Sequence, residues 1–102
     1  MDFGKLMREA NKMQSQMKKA QEELEQTLFE VETNGGAVKV SIYGNYKVER
    51  IDIDKDLIDP EDKEMLEDML KIALNEAINK VNSESKKITD KVTSSIPGFP
   101  GM

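Results

Sequence analysis

The sequence predicts an α+β fold: a long N-terminal helix, a three-stranded antiparallel β-meander, and a long C-terminal helix. Three observations carry this. Residues 28–53 alone alternate apolar and polar side chains with the period of a strand; residues 3–28 repeat apolar side chains at steps of three and four; and from Pro60 onward a wider apolar face recurs at helical spacing.

The first helix is capped by Asp2, and its apolar positions are Phe3, Leu6, Ala10, Met13, Met17, Ala20, Leu24 and Leu28. This near-heptad stripe makes Leu6, Met13, Met17 and Leu24 the expected core or dimer seam. At ~1.5 Å per residue the helix is roughly 38 Å long, as long as a 100-residue globule with a radius of gyration of ~13 Å is wide. On its other side Lys5, Arg8, Lys12 and Lys19 cluster within about 60° of one another and roughly 140° from the seam, with Ser15 and Gln16 filling the gap. Two readings of this basic stripe are open. It is a solvated face whose lysines pair with Glu9, Glu22 or Glu23, or it is a surface for an anionic partner.

In the meander, Asn34, Gly35 and Gly36 supply the positive φ angles of a first hairpin turn, and Gly44 with Asn45 gives the second signal. A loop at Asn34/Gly35 or Gly35/Gly36 places Phe29 and Val31 on one face with Val38, Val40 and Ile42. A two-residue loop at Gly44/Asn45 pairs Val40 with Glu49 and Val38 with Ile51, which adds Ile51 and Ile53 to that face. Tyr43, Tyr46 and Val48 are expected on the opposite, mixed face with Lys39, Ser41 and Arg50. Three strands need a cover on their apolar side, and the flanking helices are the candidates.

Asp52, Asp54 and Asp56 alternate like the start of a calcium loop, but Leu57 stands where the sharp turn needs glycine and Lys63 where the bidentate acid belongs, so no metal is expected. Asp59, Pro60, Glu61 and Asp62 read as a helix start with Asp59 as N-cap and Pro60 at the first helical position, and the second helix is expected from Pro60 to about Val92. Leu66, Met69, Leu70, Ala73, Leu74, Ala77, Ile78 and Val81 form a face wide enough to cover the sheet. Beyond Val81 only Ile88 and Val92 continue it, so this half projects, with Lys80, Lys87 and Lys91 flanking the seam. Residues 1–95 are expected to be a single domain, and 96–102, with two prolines and two glycines, a flexible tail.

Without cysteine or histidine, the chain lacks the residues for disulfides, thiolate chemistry, Cys/His zinc sites and histidine general-base catalysis; no enzyme and no cofactor are expected. The start, MDFGKLMREANKM, has no apolar signal region and no run approaches a membrane span, so a cytoplasmic protein without a membrane partner is the expectation. The net charge of −5 is unevenly spread. Residues 1–20 hold five basic groups against two acidic, residues 21–79 six against sixteen, and residues 80–102 four against two. Both ends are basic around an acidic middle.

Helices that overhang a short sheet expose their seams unless a second chain covers them, which makes a homodimer the economical arrangement. Its basic tips suit a phosphate backbone, and Lys5, Arg8, Lys12, Gln16, Lys19, Lys80, Lys87 and Lys91 are the residues that charge mapping assigns to DNA. No aromatic residue is interleaved with these lysines for stacking on single-stranded bases, and Arg8 alone among them offers a bidentate fork for guanine, so modest sequence preference on double-stranded DNA is expected.

The ordered set FGKLMREANKMQSQMKKAQEEL, VETNGGAVKVSIYGNYKVERIDID, DLIDPEDKEMLEDMLKIALNEAINKV and a closing PGFPGM resembles the YbaB/EbfC family of bacterial nucleoid-associated proteins across almost the whole chain. The resemblance implies a tweezer-like homodimer in the cytoplasm and nucleoid that binds double-stranded DNA and affects chromosome organisation or gene expression. It also implies an association with replication or recombination proteins. The alternative from the residues is a holdase or protein adaptor, in which Met7, Met13 and Met17 adapt to varied apolar clients without DNA binding.

Overall fold

The computed structural model describes residues 2–94; the closing segment 96–102, expected to be a flexible tail, lies outside them. Helix α1 spans Phe3–Gln26, strands β1 Leu28–Thr33, β2 Val38–Tyr43 and β3 Val48–Ile53 follow, and helix α2 spans Lys63–Ser94. The strands form one antiparallel sheet in the order β1-β2-β3. The α+β order expected from sequence is the one found.

Each end of α1 is closed by a side chain. Asp2 accepts from the N–H groups of Gly4 and Lys5 at 3.0 and 3.3 Å, satisfying two donors that the first turn leaves orphaned. At the other end the Thr27 hydroxyl donates to the Glu23 carbonyl at 2.7 Å, and its backbone N–H donates to the Leu24 carbonyl. The start of α2 lies later than expected. Asp59 and Pro60 belong to a separate turn, in which the Asp62 N–H donates to the Asp59 carbonyl and the Glu61 N–H to the Asp59 carboxylate. The capping role falls to Asp62, whose carboxylate accepts from the Met65 N–H at 3.2 Å, and the helix begins at Lys63. An Asp-Pro turn that closes on itself competes with helix initiation at the same residues.

Phe29 lies opposite Ile42, Val31 opposite Val40 and Thr33 opposite Val38, the register of a Gly35/Gly36 loop. Asn34, Gly35 and Gly36 all have positive φ. The second hairpin departs from the two-residue loop. Gly44, Asn45 and Tyr46 form a three-residue loop closed by the Tyr43 N–H donating to the Lys47 carbonyl, and the left-handed residue is Tyr46 at φ 70°. The Asn45 carboxamide accepts from the Lys47 N–H, an Asx turn that holds this shape. One extra loop residue alone shifts the register by one and turns Ile51 and Ile53 outward. A bulge prevents that: Val48 lies opposite Ile42 and Arg50 opposite Ser41, leaving Glu49 unpaired. Val40 therefore pairs with Ile51 and Val38 with Ile53, two residues from the expected partners but on the expected face. The same two irregularities correct the placement of Tyr46 and Val48. Tyr46 reaches α2, where its hydroxyl donates to the Asn82 carboxamide oxygen, and Val48 falls opposite the buried Ile42 rather than on the outer face.

The core is Val38, Val40 and Ile42 of β2 against Ala73, Ala77 and Val81 of α2, with Phe29, Val31, Leu57, Met69, Leu70 and Leu74 at its margin. The two alanines let α2 lie close on the central strand, since each presents only a methyl group. α2 packs on β1 and β2; the apolar side of β3 is left open, with Ile51 42% exposed. The outer face carries charge, including pairs Glu32–Lys39 at 3.9 Å and Arg50–Asp52 at 4.0 Å, each contributing ~0–1 kcal/mol at such exposure.

Past the sheet, the two helices run on together. Val81 and Asn82 reach the β2–β3 turn, where α1 also ends, so the rest of α2 returns antiparallel along α1. The molecule measures 70 × 23 × 17 Å with a radius of gyration of 19.6 Å, against ~13 Å for a compact chain of this length.

Gly44 joins α1 to the sheet. Its N–H donates to the Thr27 carbonyl at 3.0 Å, and a Cβ on it would collide with the Leu24 carbonyl, a backbone atom that a rotamer change cannot move. At Gly35 a Cβ meets open space, and only the positive φ of 67° resists it. Gly35→Ala is therefore expected to lower stability by about 1 kcal/mol and Gly44→Ala by about 3 kcal/mol or more, read as denaturation midpoints at one protein concentration.

Candidate nucleic-acid interface

Every residue that the charge pattern assigns to DNA is exposed: Lys5, Arg8, Lys12, Gln16 and Lys19 on α1, and Lys80, Lys87 and Lys91 on α2. Because α1 is one unbroken helix, its basic side chains keep the angular clustering that the sequence implies. Among the described residues, no carboxylate lies within ion-pair distance of Lys5, Arg8, Lys12 or Lys19, so the expected pairing with Glu9, Glu22 or Glu23 is not formed. These four cations are held out to solvent.

The second half of the basic set differs. Lys80 Nζ lies 3.1 Å and Lys87 Nζ 3.3 Å from the same oxygen, Oε1 of Glu84. Hydrogen bonding from Lys80, then from Lys87, holds the Glu84 carboxyl below the usual glutamate range. Glu84 was not among the residues singled out from sequence, although its spacing to the two lysines, four back and three on, places all three on one helix face.

A cavity of about 560 Å³ separates the helices, lined on α1 by Gln16, Ala20, Glu23 and Leu24 and on α2 by Glu84, Ile88, Lys91 and Val92. The structure thus brings Gln16 and Lys91, distant in sequence, to one groove. Lys12 and Lys19 flank Gln16 on α1, and Lys80 and Lys87 flank Glu84 on α2. For antiparallel helices, stripes displaced in the same rotational sense from the facing line emerge on the same side. Both displacements have that sense here, so the two basic stripes border the groove on one side.

The seam residues divide along α1. Leu24 is buried, Met13 and Met17 are half-buried, and Leu6 is exposed, as are Phe3 at 74% and Met7. None of the described residues covers the apolar side of the first turns of α1. Among the described residues no helix is long and apolar enough to cross a membrane, and no group of three or more His, Cys, Asp or Glu side chains is arranged to hold a metal ion.

The family model that describes the YbaB/EbfC DNA-binding family matches residues 1–96. The chain belongs to this family. It is similar to a nucleoid-associated protein of Ruminiclostridium cellulolyticum, with 38% identity over 99% of this chain and 88% of the relative. A nucleoid-associated protein of Malacoplasma penetrans is 44% identical over 87% of this chain and 94% of its own. One from Anaeromyxobacter dehalogenans is 40% identical over 99% and 100%. Among solved structures, the crystal structure of an uncharacterized protein from Helicobacter pylori superposes with a TM-score of 0.70 at 29% identity, covering 87% of this chain and 94% of that one. The YbaB/EbfC resemblance read from the ordered segments is therefore shown by the whole-chain match, and the family is one of DNA-binding, nucleoid-associated proteins.

The Glu84 cluster has a measurable signature. Its depressed folded-state pKa means that the unfolded chain takes up this proton more readily. The stabilisation from the pairing is complete above the ordinary glutamate pKa and is lost as pH falls through the lower, folded value. In a carboxyl NMR titration Glu84 is expected to titrate below the usual glutamate range and to move back up when Lys80 and Lys87 are both replaced by glutamine.

Proposed function

We propose that this protein is a nucleoid-associated protein that binds double-stranded DNA as a homodimer, with modest sequence preference, and so affects chromosome organisation or gene expression in the cytoplasm. The observation that carries the reading is the α1 stripe: Lys5, Arg8, Lys12 and Lys19, unpaired and exposed on a helix that extends past the body of the protein. Cations already occupied by carboxylates give little when a phosphate arrives, whereas unoccupied ones release the counterions of the duplex. Gln16, Lys80, Lys87 and Lys91 border the same groove and extend the surface. The acidic sheet region keeps the remainder of the molecule away from the duplex. The names of the relatives support the nucleoid as the place of action, and binding through phosphate contacts suits a protein that covers many sites.

The burial pattern supports the second copy. Val48 and Ile51 on β3, and Ile78 on α2 one turn before the Tyr46 contact at Asn82, are exposed apolar side chains beside a small core. A second chain placed over them buries them and leaves both helical tips free. Leu6, Met13 and the exposed start of α1 offer a further seam. Association with replication or recombination proteins is a separate expectation of the family resemblance.

Exposed Phe3, Leu6 and Met7 favour a second reading, a holdase or protein adaptor that docks apolar clients on the α1 tip. The two readings part in one pair of assays. On the DNA reading, reversing Lys5, Arg8, Lys12 and Lys19 to glutamate weakens retention of a duplex by on the order of a hundredfold at physiological salt and flattens the log–log salt dependence by about 0.9 for each phosphate no longer engaged. Unchanged binding removes this surface; suppression of client aggregation with no duplex retention supports the adaptor. For the dimer, light scattering is expected to give twice the chain mass for the native protein and a monomer for Ile51→Asp.

A further inference from the structure

We propose that Glu84 holds Lys80 and Lys87 in reserve: in the free protein its carboxylate occupies the position between the two ammonium groups that a backbone phosphate takes in the complex. This rests on the duplex-DNA reading and adds a control to it.

The geometry is that of an anion site already filled. Two ammonium groups one helical heptad apart are drawn onto a single oxygen, from 3.1 and 3.3 Å. The Glu84 side chain is the most sheltered of the three, 23% exposed against 69% for Lys87, so an anion arriving from solvent meets the ammonium groups first. Glu84 also lines the inter-helix groove that the two basic stripes border, which places the carboxylate within the candidate DNA surface.

Helix stabilisation accounts for only part of the arrangement: Glu84 precedes Lys87, the favourable order, whereas Lys80 precedes Glu84 by four residues, the less favourable one. On α1 the same kind of basic stripe stands without any carboxylate within ion-pair distance among the described residues. Exposed ion pairs are weak and exchange readily, so a phosphate can draw the lysines away at a modest cost. The consequence is a graded surface, in which α1 makes first contact and the α2 lysines engage only where a phosphate comes close enough to outcompete Glu84.

The test is a duplex titration across a salt series for four proteins: native, Glu84→Gln, the double variant Lys80→Gln/Lys87→Gln, and the triple variant. Asp68→Asn, which removes an exposed α2 carboxylate about three turns away from this cluster, serves as the control for charge alone. The expected result is that Glu84→Gln binds tighter, by about two- to fivefold for each lysine released. Its salt slope steepens by up to about 1.8, the share of two phosphate contacts. Removing both lysines then costs more in the Glu84→Gln background than in the native one. If Glu84→Gln matches Asp68→Asn, or if the cycle is additive, Glu84 is no more than a nearby charge and the proposal falls while the DNA reading stands. If no variant retains the duplex, the reading and the proposal fall together. Helical content by circular dichroism confirms that the variants compared are folded.

Discussion

The arrangement of the molecule depends on the hydrogen bond between the Gly44 N–H and the Thr27 carbonyl, and on the absence of a side chain at that point. It brings the last turn of α1 against the end of β2. The helix must then leave the sheet along its own axis rather than fold across it, because Leu24 is already packed at the junction. α2 covers β1 and β2 through Ala73, Ala77 and Val81 and continues past the same end of the sheet. The inter-helix groove and its basic margins follow from that shared exit.

The division of labour between body and tips is electrostatic as well as geometric. The acidic excess of residues 21–79 falls on the C-terminal end of α1 (Glu22, Glu23 and Glu25), the sheet, its connections and the half of α2 packed on it, while cations are in excess over residues 1–20 and 80–94. Stability and partner contact are thereby separated. The core lies between the sheet and the first half of α2, and the basic side chains assigned from the charge pattern stand exposed, where they disturb no packing. Within the tips there is a second distinction, since among the described residues the α1 cations have no carboxylate within ion-pair distance and two of the α2 cations are held by Glu84.

Much of this was readable in the sequence because it depends on local periodicity. Helical steps of three and four, strand alternation, Asp2 as a cap and the glycine turns each leave a mark within a few residues. The shared apolar face of the first hairpin could be read from its glycine turn, whereas the choice between the Asn34/Gly35 and Gly35/Gly36 registers came only from the structure. What escaped were results of competition between near-equal local options. Asp59 and Asp62 are both competent caps, and the turn at Pro60 gives the role to the second. Tyr46, a bulky residue, adopts a left-handed conformation that its side chain does not favour, supported by the Asn45 Asx turn and the contact at Asn82. Positive charge on the two stripes was countable from sequence, but which lysines are engaged was not. Both stripes had glutamates at pairing distance along the chain, and the structure joins only those of α2.

The bulge at Glu49 governs what the meander can tolerate over evolutionary time. Loop and bulge together add an even number of residues, which is why Ile51 and Ile53 remain on the side of Val38 and Val40. A single insertion or deletion in residues 44–49 reverses every side chain of β3 unless a second one compensates. Length changes in this hairpin that keep the apolar face therefore come in paired steps, and loss of the bulge requires the turn to change by one residue in the same stroke.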